Sequence, residues 1–179
     1  MSSRVNNGYT SYEGYHIKLD CDVDMENVEY MPIGVKNYPF QGTFDGNSDI
    51  ISNLKISSKQ DNCGLFGVVG EKGKIKNVKI ASATLESNRN NIGLIAGENY
   101  GTIDLCSTDN LSLISSNEFN VGGIVGKNYG LVNNSVNSAS ISNAEQVGGI
   151  AGENSGIIQN CTNNGEITNI DTAGGISGE

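Results

Sequence analysis

The sequence predicts an all-β chain wound into a parallel β-solenoid, and three observations predict it. First, a glycine-rich box recurs along the chain. It stands in loose form as Cys63-Gly64-Leu65-Phe66-Gly67, then as Ile92-Gly93-Leu94-Ile95-Ala96-Gly97-Glu98-Asn99-Tyr100-Gly101, as Val121-Gly122-Gly123-Ile124-Val125-Gly126-Lys127-Asn128-Tyr129-Gly130 and as Val147-Gly148-Gly149-Ile150-Ala151-Gly152-Glu153-Asn154-Ser155-Gly156. A shortened copy, Ala173-Gly174-Gly175-Ile176-Ser177-Gly178-Glu179, closes the chain. Gly64, Gly93, Gly122, Gly148 and Gly174 are spaced by 29, 29, 26 and 26 residues, a near-constant period of the length that marks a repeat array. Second, the boxes are separated by short apolar runs bounded by glycine and asparagine. Third, no stretch shows the 3.6-residue periodicity of a helix.

Each unit reads as three short strands. The box is the first. The second is Lys74-Ile75-Lys76-Asn77-Val78, repeated as Thr102-Ile103-Asp104-Leu105-Cys106, Leu131-Val132-Asn133-Asn134-Ser135 and Ile157-Ile158-Gln159-Asn160-Cys161. The third is Ala83-Thr84-Leu85, repeated as Leu111-Ser112-Leu113-Ile114, Ala139-Ser140-Ile141-Ser142 and Gly165-Glu166-Ile167-Thr168. Strands this short, with turn residues between them, describe one coil of a solenoid that pairs edge to edge with the next at about 4.8 Å. The expected form is a right-handed β-helix of 26–29 residues per coil, although nothing in the repeat itself sets the hand.

Stacking explains what occupies each position. One coil cannot bury its own apolar face, so Ile95, Ile124 and Ile150 make a core only when piled on one another. Flanking glycines suit backbone too crowded for a side chain. Glu98, Lys127 and Glu153 alternate in sign from coil to coil, a favourable arrangement for stacked charges. Asn99, Asn128 and Asn154 fall where asparagine can take a left-handed turn and hydrogen-bond its stacked copies.

Taken in order, residues 1–11 read as a disordered or appended tail, 12–62 as N-terminal coils or a cap, and 63–179 as the repeats proper with a truncated last copy. Tyr15 to Asp24 alternates apolar and polar as one half-buried strand does. Met31-Pro32-Ile33-Gly34 breaks it, and Tyr38 to Asn47 makes an aromatic-rich turn in which Asp45-Gly46-Asn47 places glycine at a positive φ. Ile50 to Ile56 resumes the strand pattern. Both ends look cut, so the chain reads as a segment of a longer protein that can carry its export signal elsewhere.

The net charge of −9 and a sequence pI near 4.5 leave no basic patch to neutralise phosphates, which argues against nucleic acid or an anionic membrane as partner. No run of about 18 apolar residues is present for membrane insertion. The richness in asparagine, serine and glycine would suit disorder, but the regular apolar spacing argues for a solenoid instead.

The boxes, from Gly64-Leu65-Phe66-Gly67 to Gly148-Gly149-Ile150-Ala151-Gly152, resemble the GLUG motif of bacterial surface and secreted proteins. Phe40-Gln41-Gly42-Thr43-Phe44-Asp45-Gly46-Asn47 with Ile51-Ser52-Asn53-Leu54 resembles the segment that often precedes such motifs. The resemblance covers roughly residues 12 to 179. It implies an extracellular or cell-surface setting, in adhesin-like proteins or beside the protease domain of bacterial immunoglobulin A peptidases, and it supplies no catalytic role and no functional residues.

Candidate chemistry is sparse. Asp20, Asp22 and Asp24 share a face of the expected strand and could hold Ca²⁺ through carboxylate oxygens, although a solvated strand face is the plainer reading and no other cofactor is implied. His16 is the only histidine and is expected on that same exposed face. Cys21, Cys63, Cys106 and Cys161 lack metal-ligand spacing, and Cys106 and Cys161 occupy one position two coils apart, too far for a disulfide. Tyr100 and Tyr129 share a position and should stack at the surface. Flanked by Asn99, Asn128, Glu98 and Lys127, they could form a sugar platform, against the plainer reading of a stacking ladder.

The expected function is a non-catalytic repeat module of a bacterial surface or secreted protein, a stiff spacer or adhesive surface that meets a glycan or host protein. The alternatives are an accessory segment of a secreted peptidase and a carbohydrate-active β-helix enzyme. The latter needs converging acid and base groups, and the two arginines, Arg4 and Arg89, stand far apart.

Overall fold

The computed structural model describes residues 1–57, 60–168 and 171–179. The described residues form a β-solenoid of about six coils, and every strand pair between coils is parallel. One wall carries six strands, His16–Lys18, Thr43–Asp45, Lys74–Lys76, Thr102–Asp104, Leu131–Asn133 and Ile157–Gln159, in chain order. A second six-stranded wall runs from Val23–Asp24 to Thr162–Asn163, and a third, of five, from Lys55–Ile56 to Ile167–Thr168. The glycine boxes make a fourth, Phe66–Val69, Ala96–Asn99, Val125–Asn128 and Ala151–Asn154. A small fifth sheet, Val121–Gly122, Gln146–Gly148 and Thr172–Gly174, joins the later coils.

A coil therefore has four strands, and five late in the chain, where the sequence shows three runs. The extra strand lies just past the second run: Asn77, Leu105, Asn134 and Asn160 sit at φ 49–54° and turn the chain after three residues, so Lys74–Lys76 and Lys79–Ala81 lie on different walls. Strands of two or three residues are too short to show alternation. The same reason divides the expected strand Tyr15 to Asp24 into His16–Lys18 and Val23–Asp24 around a corner.

The core is a set of ladders. Ile75, Ile103 and Val132 stack in one, Leu85, Ile114 and Ile141 in another, and Ile95, Ile124 and Ile150 are wholly buried as expected. Phe40, Phe44 and Phe66 fill the N-terminal end, with ring centroids 5.0 and 5.4 Å apart. One interior ladder changes character along the axis. Ile80 stacks on Thr108, Thr108 Oγ1 donates to Asn137 Oδ1 (2.7 Å), and Asn137 Nδ2 donates to Asn163 Oδ1 (2.9 Å). A Cβ on Gly123 or Gly149 would lie 2.1 or 2.2 Å from those asparagine side chains. The earlier boxes, facing the apolar end of the ladder, carry Leu65 and Leu94 at the same place, so the switch from Gly-Leu to Gly-Gly compensates the asparagines.

Residues 1–11 open with a short helix. Helix α1, Ser2–Asn6, buries Val5 completely. Asn6 Nδ2 donates to the Pro32 carbonyl (3.0 Å) and its Oδ1 accepts the Gly34 amide (2.7 Å), which ties the segment to the first coil. Among the described residues no helix is long and apolar enough to cross a membrane.

Candidate functional site

Tyr100 and Tyr129 leave the fourth wall at the first residue after their strands, in register because Asn99 pairs with Asn128. Their rings stack with centroids 4.8 Å apart and planes 9° from parallel. Stacking hides one face of each ring, so the pair is not a two-ring platform. The next coil has Ser155 in this position, which leaves space beside Tyr129, and Lys127 Nζ lies 5.2 Å from that ring's centroid, at cation–π distance.

Asn99 and Asn128 do not flank this surface: both are fully buried. Asn99 Nδ2 donates to Asn128 Oδ1 (2.8 Å), Asn128 Nδ2 to Asn154 Oδ1 (2.8 Å), and the Gly101 amide donates to Asn99 Oδ1 (3.1 Å). They form the stacked amide ladder that the sequence suggests, but as an inward structural spine that no ligand reaches. Nor are they left-handed. That conformation belongs to a second ladder, Asn62, Asn91 and Asn120, at φ 60–66°.

The alternating charges pair unequally. Lys127 Nζ bonds Glu153 Oε2 (2.8 Å), which holds the ammonium pKa well above its ordinary value, with the Tyr129 hydroxyl assisting. Glu98 is 6 % exposed. Its Oε1 accepts from Asn91 Nδ2 (3.1 Å), while Oε2 has no hydrogen-bond partner in good geometry among the described residues. Burial pushes its carboxyl pKa up, and Lys36, Lys127 and the Tyr100 hydroxyl only partly offset this. A raised carboxyl pKa adds stability that is complete below the unfolded value and is lost as pH rises through the folded one. Glu98→Gln is therefore expected to be about 1 kcal/mol more stable than the parent at pH 7. The difference should shrink as pH approaches 4.5, above the range where Asp45, held down at about 2 mainly by the Asn77 amide, begins to titrate. Urea melts at both pH values test this, and an equal gain at each would remove Glu98 titration as the cause.

The three aspartates do not converge. Asp20 and Asp22 lie at the corner between two strands and Asp24 in the second of them. Asp22 Oδ1 accepts the Ile50 amide (2.8 Å), and Asp24 Oδ1 accepts the Glu26 amide and Asn53 Nδ2 (both 2.8 Å). Among the described residues no cluster of three or more His, Cys, Asp or Glu side chains could hold a metal ion. His16 is exposed on its strand. No disulfide joins the cysteines among the described residues, where Cys21 is exposed and Cys63 and Cys106 are buried; burial pushes the Cys106 thiol up to about 12. In the Asp45-Gly46-Asn47 turn it is Asn47 and Ser48 that take positive φ, 55° and 67°. Gly46 is needed for close approach, since a Cβ there would lie 2.5 Å from the Asn77 carbonyl oxygen.

A pocket of about 760 Å³, which the sequence did not suggest, opens where the loop around Tyr30 to Asn37 folds back beside Asp61 and Asn62. It exists because Gly34, at φ +87°, lies against the Val68 carbonyl, where a Cβ would meet the oxygen at 2.4 Å. No local pattern announces such a pocket, since its two sides are separated by a full coil.

Residues 143–168 match the family model of the GLUG motif. The chain contains a GLUG motif over these residues. The matched stretch is one coil long, from the turn at Asn143 through the box to the third-wall strand Ile167–Thr168. The chain is 34% identical over 106 residues to a protein of Evansella cellulosilytica named as a candidate Gly-rich membrane protein, covering 54% of this chain and 12% of that protein. It is 42% identical over 65 residues to halomucin of Haloquadratum walsbyi, covering 36% of this chain and 1% of halomucin. The chain thus spans a small part of the curated relatives it matches. The crystal structure of a candidate immunoglobulin A1 protease from Bacteroides ovatus is similar with a TM-score of 0.69 at 22% identity, over 98% of this chain and 68% of that one. That likeness is one of fold.

Proposed function

We propose that this GLUG chain is a non-catalytic module of a bacterial cell-surface or secreted protein, a stiff spacer that also presents an adhesive face. The observation that carries the reading is the unbroken six-rung ladder on two walls, in which each coil is bonded to its neighbours and adjacent repeats reinforce one another. A membrane protein and a halomucin among the relatives' names support a surface setting. The adhesive face is the open side of Tyr129 with Lys127 and Ser155, where an apolar sugar face can lie on the ring and hydroxyls meet the charged pair. An array of glycans and host matrix proteins tests it. Saturable binding weakened about tenfold by Tyr129→Ala, and less by Tyr100→Ala, is expected; no binding at high protein concentration leaves the spacer role alone.

A second reading, an accessory segment beside a peptidase, draws on the name of the Bacteroides ovatus structure. It keeps the module non-catalytic, and cleavage of immunoglobulin A1 by this chain alone would overturn both readings.

A further inference from the structure

The left-handed asparagine ladder has a direction. Asn120 Nδ2 donates to Asn91 Oδ1 (2.9 Å), and Asn91 Nδ2 donates to Asn62 Oδ1 (2.8 Å). The series ends at Asn62, whose own Nδ2 has no partner among the described residues. Asn62 lines the pocket beside Tyr30 to Asn37. So does Lys36, which forms no ion pair among the described residues. Behind this wall lies Glu98, 94 % buried by its 6 % exposure, with one carboxylate oxygen that meets no hydrogen-bond partner in good geometry among the described residues. It is bonded to Asn91, the amide that donates to Asn62, and interacts electrostatically with Lys36 and Asp61 of the pocket.

The lining combines three properties. Met31, Pro32 and Val35 supply an apolar strip. Asn62 and Lys36 supply donors, while Asp61 keeps one carboxylate oxygen beyond the one that accepts the Asn90 amide, giving acceptor capacity. The volume is within the usual range for ligand sites, about 300–1,000 Å³. A pyranose ring matches such a lining, since its C–H face is apolar and its hydroxyls both donate and accept. The carboxylates of Glu29 and Asp61, with Glu98 behind them, outnumber Lys36, and this disfavours uronates and sulfated sugars.

We propose that this pocket binds a neutral saccharide, with Asn62 Nδ2 and Lys36 donating to its hydroxyls, Asp61 accepting from them, and Met31 and Val35 lying against the ring. The site deepens the adhesive reading, on which it rests for its setting, by naming a ligand class. It uses none of the residues of the tyrosine face, so the two can fail separately.

The test is titration of the isotope-labelled chain, followed by NMR, with cellotriose and chitotriose as neutral probes and trigalacturonate as an acidic one. At least one neutral probe should saturate at millimolar concentrations, shifting the amides of Lys36 and Asn62. Asn62→Asp keeps the left-handed turn and the oxygen that Asn91 bonds but replaces the donor with a charged acceptor beside Asp61; it should weaken binding about tenfold. Lys36→Ala, at an exposed side chain, should do the same with the spectrum otherwise intact, and Tyr129→Ala should leave the affinity unchanged. The assignment is overturned if no neutral probe saturates by about 10 mM or trigalacturonate binds more tightly. Shifts that centre on Tyr129, or a lysine-bearing peptide that binds the pocket where the sugars do not, would overturn it as well.

Discussion

Gly126→Ala is expected to cost the fold about 3 kcal/mol or more. The added methyl would lie 2.2 Å from the Ile92 amide nitrogen and 2.3 and 2.6 Å from the carbonyl carbon and Cα of Asn91. These are backbone atoms of the turn before the preceding box, and they are pinned by the Asn91 ladder and by the bond from the Ile92 amide to the Asn120 carbonyl (3.0 Å). No rotamer change relieves the contact, so the two coils must separate and lose strand pairing. Gly97 and Gly152 meet Asn62 and Asn120 in the same way, which makes this a property of the coil. Denaturant unfolding followed by far-UV circular dichroism measures the cost, with Gly175→Ala as the control, since nothing stands within 4 Å of a Cβ there. Equal stability of the two variants would mean that the box strand does not lie against the turn before the preceding box.

The second large effect is expected at Asn128, inside the buried amide spine. Its Nδ2 lies within hydrogen-bonding reach of Asn154 Oδ1 (2.8 Å) and of the Gly130 and Ile157 carbonyls (3.2 and 3.3 Å), and its Oδ1 accepts from Asn99 (2.8 Å). Alanine would remove the spine at its midpoint and leave buried acceptors, and the Asn99 donor, without their partner. The expected loss is about 2–4 kcal/mol, because stranding a buried polar group costs more than its hydrogen bond contributes. The coupling between Asn99 and Asn128 is measurable in a double-mutant cycle, in which Asn99→Ala should cost less when Asn128 is already alanine. Full additivity would show the two amides to be independent and the spine to be of no consequence.

These residues show what was legible. The core positions Ile95, Ile124 and Ile150 and the opposed charges Glu98, Lys127 and Glu153 could be read because stacking makes sequence period and spatial neighbourhood the same thing. Asn99 and Asn128 are legible as ladder members, but which side of the wall they face is not. Inward and outward neighbours alternate within a strand of four residues, and a bend of one residue exchanges them. The tyrosine stack was visible for the same reason as the core, whereas the hiding of one ring face by the other depends on ring orientation, which the repeat does not encode.

The sequence by itself determined the parallel solenoid, the repeat length, the identity of the stacked positions and the glycine box that carries the GLUG motif, because those properties recur every 26–29 residues and so report on contacts between adjacent coils. Only the tertiary structure decided the number of strands per coil, the docking of Ser2–Asn6, the inward turn of the asparagine spine, the burial of Glu98 and the pocket beside Asn62. Each of these arises where the chain turns a corner or meets a segment outside the repeat, and there the contact partners are set by backbone direction and by non-repeating loops that no period in the sequence describes.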